Sequence, residues 1–431
     1  MLDIKYIREH TDEVRNAAKN KNAKVDIDKL LELDNQRRDE LQRLESVQSE
    51  RNSLARESKG GKPTEDLVQK GKDLKVKADC LDKSYNQVNA DYLKLLYAVP
   101  NIASQDTPVG KDESENVEIS KWGERPKFEF KAKDHVTLGE AHGTIDLKRA
   151  AKVSGARFAY LMNGLVKLQF AIINWTIDVL TSEDQIKKIT DQSKLCVSTR
   201  PFQLMLPPVM LRTDSYAATA RLKAEEVTYK LADDDLWLIG SAEHSMVAMY
   251  QDEILDNKDL PLRFLGYSTS FRREAGSYGK DLHGILRMHH FDKLEMESFT
   301  GSKDGMNEHK FMVAVQEYLM QELEIPYHVL LKCTGDMGDP NFRGVDIEAW
   351  IPSQNKYRET HSADYMTDYQ ARRLNLRLKD GEGNISFAHT NDATAFAMGR
   401  TMIAIMENYQ QADGSVAIPR VLQKYYGADK L

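Results

Sequence analysis

The chain of 431 residues has only three cysteines: Cys80, Cys196 and Cys333. They are odd in number, far apart and never in C-x-x-C spacing, which excludes a disulfide framework or a Cys-rich zinc module and fits a reducing compartment. Long apolar runs are also missing. No segment approaches the roughly 20 residues that span a bilayer, so no membrane partner is expected. The first residues, MLDIKYIREHTDEVR, mix acids with bases and lack the apolar core of a secretory signal, so a cytoplasmic location is the default expectation. There is no excess of positive charge. A formal net charge of −7 argues against a surface that is basic throughout, though a local basic patch can still bind nucleic acid. The familiar nucleotide and metal signatures are absent too: no GxxxxGK[ST], no GxGxxG after a strand and no HExxH. A nucleotide, if bound, is held by another device.

Charged residues at 29% and hydrophobic residues at 41% describe an ordinary globular protein, and the length allows two or three domains. The first hundred residues differ from the rest. Residues 27–58 are polar, rich in Glu, Arg, Gln and Leu, and free of Pro and Gly. Gly60, Gly61 and Pro63 break the pattern, and residues 65–98 resume it. In the second stretch Leu67, Gly71, Leu74, Ala78, Leu81, Tyr85, Val88, Tyr92 and Leu95 alternate by four and three, an a/d seam with Gly71 as its weak point. The first stretch offers Leu30, Leu41, Leu44, Val47 and Leu54, interrupted by Arg37 and Arg51. Two helices joined by a tight break predict an antiparallel hairpin, each arm roughly 50 Å long at 1.5 Å per residue. Arg51, Arg56, Lys59, Lys62, Lys70, Lys72, Lys75 and Lys77 gather around its tip. The ordinary fate of such a charge run is a solvated helix surface; the functional alternative is a comb for phosphates.

After Pro100 the chain is polar and irregular to about residue 133, which reads as a linker with extended pieces of its own, and residues 134–431 mix strands with helices. FLGYSTSFRRE (264–274) and RMHHFDKLEMESF (287–299) read as two strands of a hairpin around a loop bearing Gly276, Gly279 and Gly284. Alternation puts Arg272 and Glu274 on one face, and Phe291, Lys293 and Glu295 on one face. If the two faces coincide, one sheet surface carries a guanidinium, an aromatic ring and several charges. That requires either a salt-bridged exposed surface or a bound ligand. VDIEAWIP puts Asp346 and Glu348 together, and KYRETHSADY carries Glu359 and Ser362; carboxylate and hydroxyl oxygens suit Mg²⁺, although pairing with Lys or Arg is the commoner fate. SFAHTND leads into ATAFAMGRTMIAIMENY, a helix with an apolar stripe and Arg400 near its start, placed to meet phosphate. His289 and His290 are adjacent on a strand and so point to opposite faces, which argues against a two-His metal site.

Together these pieces resemble the class II aminoacyl-tRNA synthetases, and the seryl-tRNA synthetase family in particular. The helical hairpin followed by SQDTPVGKDESENVE resembles that family's arm and linker. RPFQLMLPPVMLRTDSY is similar to motif 1, with Pro207 and Pro208 at the expected dimer interface. FRRE…RMHHFDKLEM is similar to motif 2, AMGRTMIAIMENYQ to motif 3, SAEHS to the segment that holds serine, and RETHSADYMTDYQARR to the stretch that meets ATP, magnesium and substrate.

The resemblance implies an α+β catalytic domain over 134–431, an antiparallel sheet flanked by helices working as a homodimer. It also implies an N-terminal tRNA-binding coiled-coil hairpin over 1–100 and a linker over 101–133. It implies activation of L-serine with ATP and Mg²⁺ and transfer to tRNA(Ser), and to tRNA(Sec) where present. Arg272, Glu359 and Arg400 take the catalytic roles: Arg272 on the ATP α-phosphate, Arg400 on the γ-phosphate, and Glu359 with Ser362 on Mg²⁺. Glu274 sits near the adenine amino group and Phe291 stacks on adenine, with Arg273, Thr360 and His361 completing the ATP site. Ser241, Ala242, Glu243, Arg272, Glu295 and Thr394 line the serine site, and the eight basic residues of the arm meet tRNA. The chain departs from the family pattern at Ser241, His290, His361 and Tyr365, and in the run DATAFA over 392–397. The bulkier His361, Tyr365 and Phe396 are expected near the amino-acid pocket. Two other readings stay open. One is a ligase that loads an amino acid onto a carrier protein, which is expected to lack the arm present here. The other is a non-catalytic RNA-binding paralogue, which would be favoured by loss of Arg272, Glu359 or Arg400, all present here.

Overall fold

The computed structural model of the chain describes residues 1–57, 64–222, 227–274 and 284–431. Gly60, Gly61, Pro63, Lys59, Lys62, Gly276 and Gly279 lie outside the described residues. The chain divides into two compact units, Met1–Ile102 and Ala103–Leu431.

The first unit opens with two short helices, α1 (Ile4–Glu9) and α2 (Thr11–Asn20), followed by two long ones, α3 (Ile27–Glu57) and α4 (Glu65–Ala98). Thr64 caps α4, its side-chain oxygen accepting from the Leu67 N–H. The long helices run antiparallel: Leu44, Val47, Leu74 and Ala78 form a shared core with Leu54 and Leu81 against it. The seam follows the expected heptads up to Tyr92 and then slips by one, so that Leu96 is buried where Leu95 was expected. Arg37, which interrupts the first seam in sequence, stacks its guanidinium 4.6 Å from the centre of the Tyr92 ring and so serves as a seam residue. A buried acid beside it, Asp34, is paired by Arg8 at 2.9 Å, Arg37 at 3.3 Å and Arg38 at 3.6 Å. Arg51, the other interruption, stays exposed. A Cβ at Gly71 would meet only Leu54 Cδ2 at 3.7 Å, an ordinary contact, so packing does not demand the glycine.

The second unit is built on an eight-stranded sheet. In chain order its strands are β1 (Val117–Trp122), β2 (Gln203–Met205), β3 (Leu262–Phe271), β4 (His290–Thr300), β5 (Tyr327–Leu331), β6 (Arg343–Ile351), β7 (Lys356–Thr367) and β8 (His389–Ala397). Their spatial order is β1-β5-β6-β7-β8-β4-β3-β2. Every neighbouring pair is antiparallel except edge strand β2, which runs parallel to β3. β1 comes from the stretch expected as a linker; residues 117–122 pair with β5 as the opposite edge. β3 ends at Phe271 rather than Glu274 and β4 begins at His290 rather than Arg287, because beyond the Arg272 N–H bond to His289 O at 2.8 Å the N–H groups leave the ladder, that of Arg273 for Val227 O at 3.0 Å and that of His289 for Arg157 O at 3.1 Å.

One sheet face is apolar. Leu294, Met296, Val345, Ile347, Ala363, Ala393 and Phe396 pack against three helices: α5 (Asn163–Leu180), Gly305–Glu322 and Met398–Asn408. Strand period two therefore sends Lys293, Glu295, Asp346, Ser362, Asp364, Asp392 and Thr394 to the other face. The residues expected to crowd the amino-acid pocket go the opposite way. His361 is buried on the apolar side with its ring edge-on to Phe396, centroids 5.3 Å apart. Tyr365 lies over Gly305, its hydroxyl 2.6 Å from His389 Nδ1. These bulky departures alter the packing behind the sheet and leave the pocket face alone.

Behind the sheet, His309 of the Gly305–Glu322 helix is fully buried, its Nε2 donating to Ala363 O at 3.1 Å and its Nδ1 accepting from Arg343 at 3.3 Å. Burial, and then Arg343, push the imidazole down to about 4 from an ordinary value near 6.5. The unfolded chain takes up this proton below about 6.5, and the folded chain only near 4. The stability tied to neutral His309 is therefore complete above 6.5 and declines as pH falls towards 4, by up to about 1.4 kcal/mol per pH unit. His309→Gln keeps a donor and an acceptor but cannot titrate. Urea midpoints measured from pH 8 to pH 4 should fall less steeply for this variant than for the parent; parallel curves would remove His309 as a source of acid sensitivity.

Candidate active site

The polar sheet face is hollowed into a cavity of about 480 Å³. Alternation and two irregularities in the ladder decide what lines it. On β3 and β4 the register pairs Gly266 with Glu295, Ser268 with Lys293 and Ser270 with Phe291, so the faces of Arg272 and of Phe291, Lys293 and Glu295 do coincide. The Arg272 guanidinium lies 5.3 Å from the centre of the Phe291 ring, and its Nε donates to Gly240 O at 3.1 Å. On β7 a bulge at Thr360 breaks the pairing: Glu348 faces Glu359 while Asp346 faces Ser362. Residues 359 and 362 are an odd number apart and would otherwise point oppositely; the extra residue brings both to the pocket side. A second bulge, between Thr394 and Phe396, leaves Thr394 opposite Glu295 and Phe396 opposite Leu294.

Two charge clusters result. At one end Arg400, in the first turn of the Met398–Asn408 helix, donates to Glu359 O at 2.6 Å and pairs with its carboxylate at 3.1 Å. Burial opposes ionisation of Glu359, but Arg400 and then Lys332 outweigh it and hold the carboxyl at about 2. Nearby, Asp346 is pushed up to about 7, mainly by burial, against the pull of Lys332 at 3.5 Å. Its Oδ1 is buried and makes no hydrogen bond. At the other end Glu243, Glu295 and Asp392 bring carboxylate oxygens within 4.8 Å of one another. Lys293 pairs with Glu295 and donates to Ser241 Oγ at 3.2 Å. Arg221 pairs with Glu243 and Asp392. Burial pushes Glu295 up to about 7, with Glu243 adding to it and Lys293 opposing. Burial also disfavours the Glu243 charge, but Arg221 and then His244 hold that carboxyl well below the ordinary range. His244 Nδ1 accepts from the Gly240 N–H at 3.2 Å, which leaves Nε2–H for Glu243 at 3.3 Å.

Two family models match the chain: a seryl-tRNA synthetase N-terminal domain over residues 1–103, and a tRNA synthetase class II core domain (G, H, P, S and T) over residues 227–409. The serine–tRNA ligase of Nitrosopumilus maritimus is 38% identical over 436 aligned positions and covers 100% of both chains. The chain belongs to the seryl-tRNA synthetase family. The crystal structure of seryl-tRNA synthetase from Pyrococcus horikoshii complexed with ATP superposes with a TM-score of 0.87 at 38% identity, covering 100% of this chain and 99% of the other. That of the cytoplasmic serine–tRNA ligase of Naegleria fowleri in complex with AMP gives 0.82 at 26% identity, covering 100% and 98%.

Of the site residues expected from the seryl-tRNA synthetase resemblance, Glu243, Arg272, Glu274, Phe291, Glu295, Glu359, Thr360, Ser362, Thr394 and Arg400 line this one cavity. Ser241 joins it through Lys293. Ala242 is buried in a side core with Met246 and Phe264, His361 faces the apolar side, and Arg273 stacks on Tyr229 at 5.6 Å. Arg221, Lys332, Asp364 and Asp392 also line the cavity without having been expected there. Asp364 was within reach, two places beyond Ser362 on one strand; Arg221, in an irregular stretch, carries no pattern that marks it.

Glu243 owes its position to a missing side chain. It begins the short helix Glu243–Ala248, which lies against β3 at Gly266. A Cβ there would approach Met246 Sδ to 2.6 Å and Ala242 Cβ to 3.2 Å. Gly266→Val should push that helix outward and carry Glu243 with it. Since a displacement of about 1 Å can cost on the order of 100-fold, serine-dependent ATP–pyrophosphate exchange should drop by at least about tenfold. An unchanged rate would show that the helix is placed by other contacts.

Proposed function

We propose that the cavity on the polar sheet face is where serine and ATP meet, with ATP along the Arg272–Arg400 side and serine at the Glu243–Glu295 end. The activity is ATP-dependent activation of serine to the adenylate and its transfer to tRNA. The observation that carries the site assignment is the convergence of Arg272, Phe291, Glu359 and Arg400 on one cavity, beside a second, acid-rich end sized for a small ammonium compound.

The serine carboxylate attacks the α-phosphorus and pyrophosphate leaves, so little proton transfer is needed. Positioning and neutralisation of developing charge do the chemistry. Arg272 meets the α-phosphate, and Phe291 offers its ring to adenine with Glu274 at its edge. Arg400 turns from Glu359 to the γ-phosphate, helped by the N-terminus of its own helix. Thr360 borders the nucleotide. At the other end Glu243 and Glu295 receive the ammonium, while Ser241 and Thr394 offer hydroxyls to the serine side chain. A pocket that hydrogen-bonds a hydroxyl rejects alanine, because its own polar groups would be left unpaired.

Glu359 and Ser362 also fit Mg²⁺. They share a face with Asp346, whose buried oxygen lacks a hydrogen bond, and oxygen donors of this kind suit a hard cation. Held by these residues, the ion would supply positive charge that offsets the charge of the triphosphate. We further place tRNA along the hairpin arm, where Arg51, Arg56, Lys70, Lys72, Lys75 and Lys77 are all exposed, Lys70 with Glu50 3.6 Å away. Homodimer formation through the β2 edge is supported by exposed Leu204, Leu206 and Met210 beside Pro207 and Pro208. A cytoplasmic setting is supported by three free cysteines. No described helix is long and apolar enough to cross a membrane.

Exchange measured with each of the twenty amino acids should respond to serine; a response to another amino acid in its place would overturn the pocket assignment. Removing residues 27–98 should spare exchange but abolish charging of tRNA, and equal loss of both would make the arm structural. Arg272→Ala should slow adenylate formation by about 3–4 kcal/mol in barrier, the usual cost of one lost transition-state donor. Near-normal exchange in that variant would refute its role.

A further inference from the structure

The acid-rich end of the cavity holds a cation to which none of the roles above is given. Arg221 has a side chain only 15% exposed. Its Nε lies 3.0 Å from Glu243 Oε1, and its Nη2 lies 2.7 Å from Asp392 Oδ2 and 3.5 Å from Asp364 Oδ2. These partners come from three separate elements: the short helix over β3, strand β8 and strand β7. One guanidinium therefore ties together the three pieces of chain that wall this end of the pocket, its Nη2 hydrogen-bonded to Asp392 and Asp364 and its Nε meeting Glu243 as an ion pair.

The charge arithmetic makes the tie necessary. Glu243, Glu295 and Asp392 bring oxygens within 4.8 Å of one another, and Asp364 stands beside them on Arg221. Carboxylates packed so closely away from water repel strongly. Lys293 and Arg221 divide the work of compensating these acids: Lys293 serves Glu295 and Ser241, while Arg221 serves Glu243, Asp392 and Asp364, and the buried Glu297 opposite Asp392 adds to the acid side. The surplus of acid that remains suits an incoming ammonium, but only if the receiving carboxylate is already fixed in place.

We propose that Arg221 is a positioning residue for the amino-acid substrate, bracing Glu243 and Asp392 as one charge-compensated wall against which the serine ammonium docks. This rests on the serine-pocket reading above and deepens it. None of these pairs involves Glu359 or Arg400, which sit at the ATP end, so a change at Arg221 is expected to act mainly on the amino-acid side.

The test uses the full-length chain, serine-dependent ATP–pyrophosphate exchange and thermal melting of each variant. Arg221→Gln should raise the serine KM by roughly 100-fold, as expected for stripping the partner from a buried charge, while the ATP KM moves less than about threefold. The double variant Arg221→Gln with Asp392→Asn should regain at least about tenfold of that loss, because it removes the carboxylate left without a cation. Arg221→Lys keeps the charge but loses the fork, and should raise the serine KM by about tenfold; it carries the test if Arg221→Gln melts early. An unchanged serine KM in a folded variant, equal changes in the serine and ATP constants, or a double variant no better than the single one would each overturn the proposal. A parent enzyme with no serine-dependent exchange would instead sink the serine-pocket reading itself.

Discussion

Charges on the inner face of the eight-stranded sheet are tolerable only in one another's company. Lys293 with Glu295, Lys332 with Asp346, Arg400 with Glu359, and Arg221 with Glu243 and Asp392 cover the face with pairs of opposite sign. Breaking one of the buried pairs strands a partner in a low dielectric, at a cost of several kcal/mol, whereas Arg400 with the half-exposed Glu359 is screened by water. Under the proposed function, a surface held under that constraint is already organised for a ligand that carries phosphates at one end and an ammonium at the other. The cations that now hold acids can turn to phosphate, and the surplus acids can turn to the ammonium.

The apolar face makes this possible. Leu294, Met296, Ile347, Ala363, Ala393 and Phe396 seat the sheet on its helices and hold the strands in register. Register, in turn, is what gathers the polar side chains, since a slip of one residue would exchange the two faces. The bulges at Thr360 and next to Thr394 are local departures from that rule. Each occurs where the pocket needs a side chain that strict alternation would deny it: Glu359 beside Ser362 in one case, Thr394 beside Glu295 in the other.

The arm is organised by simpler rules. Its two helices pack along a heptad seam, and the chain's interruptions of that seam are absorbed by polar contacts: Arg37 over Tyr92, and Asp34 among three arginines. The outward faces keep their basic residues in water, the arrangement that suits contact with a phosphate backbone at little cost in stability.

Much of this protein was legible from residue order alone. The helical hairpin, the polar hairpin faces around Arg272 and Phe291, and the strand-to-helix passage to Arg400 depend on period and local propensity, which a sequence displays directly. So does the family resemblance, carried by ordered local motifs. Tertiary structure decided the rest. His361, Tyr365 and Phe396, as bulky departures from the family's motifs, were expected near the amino-acid pocket, but bulges and strand parity turn them to the apolar side. Arg221 meets Asp364 and Asp392 across 143 and 171 positions of chain. No local pattern encodes such a meeting, because it exists only once separate strands have been brought side by side and the charges between them have had to find partners.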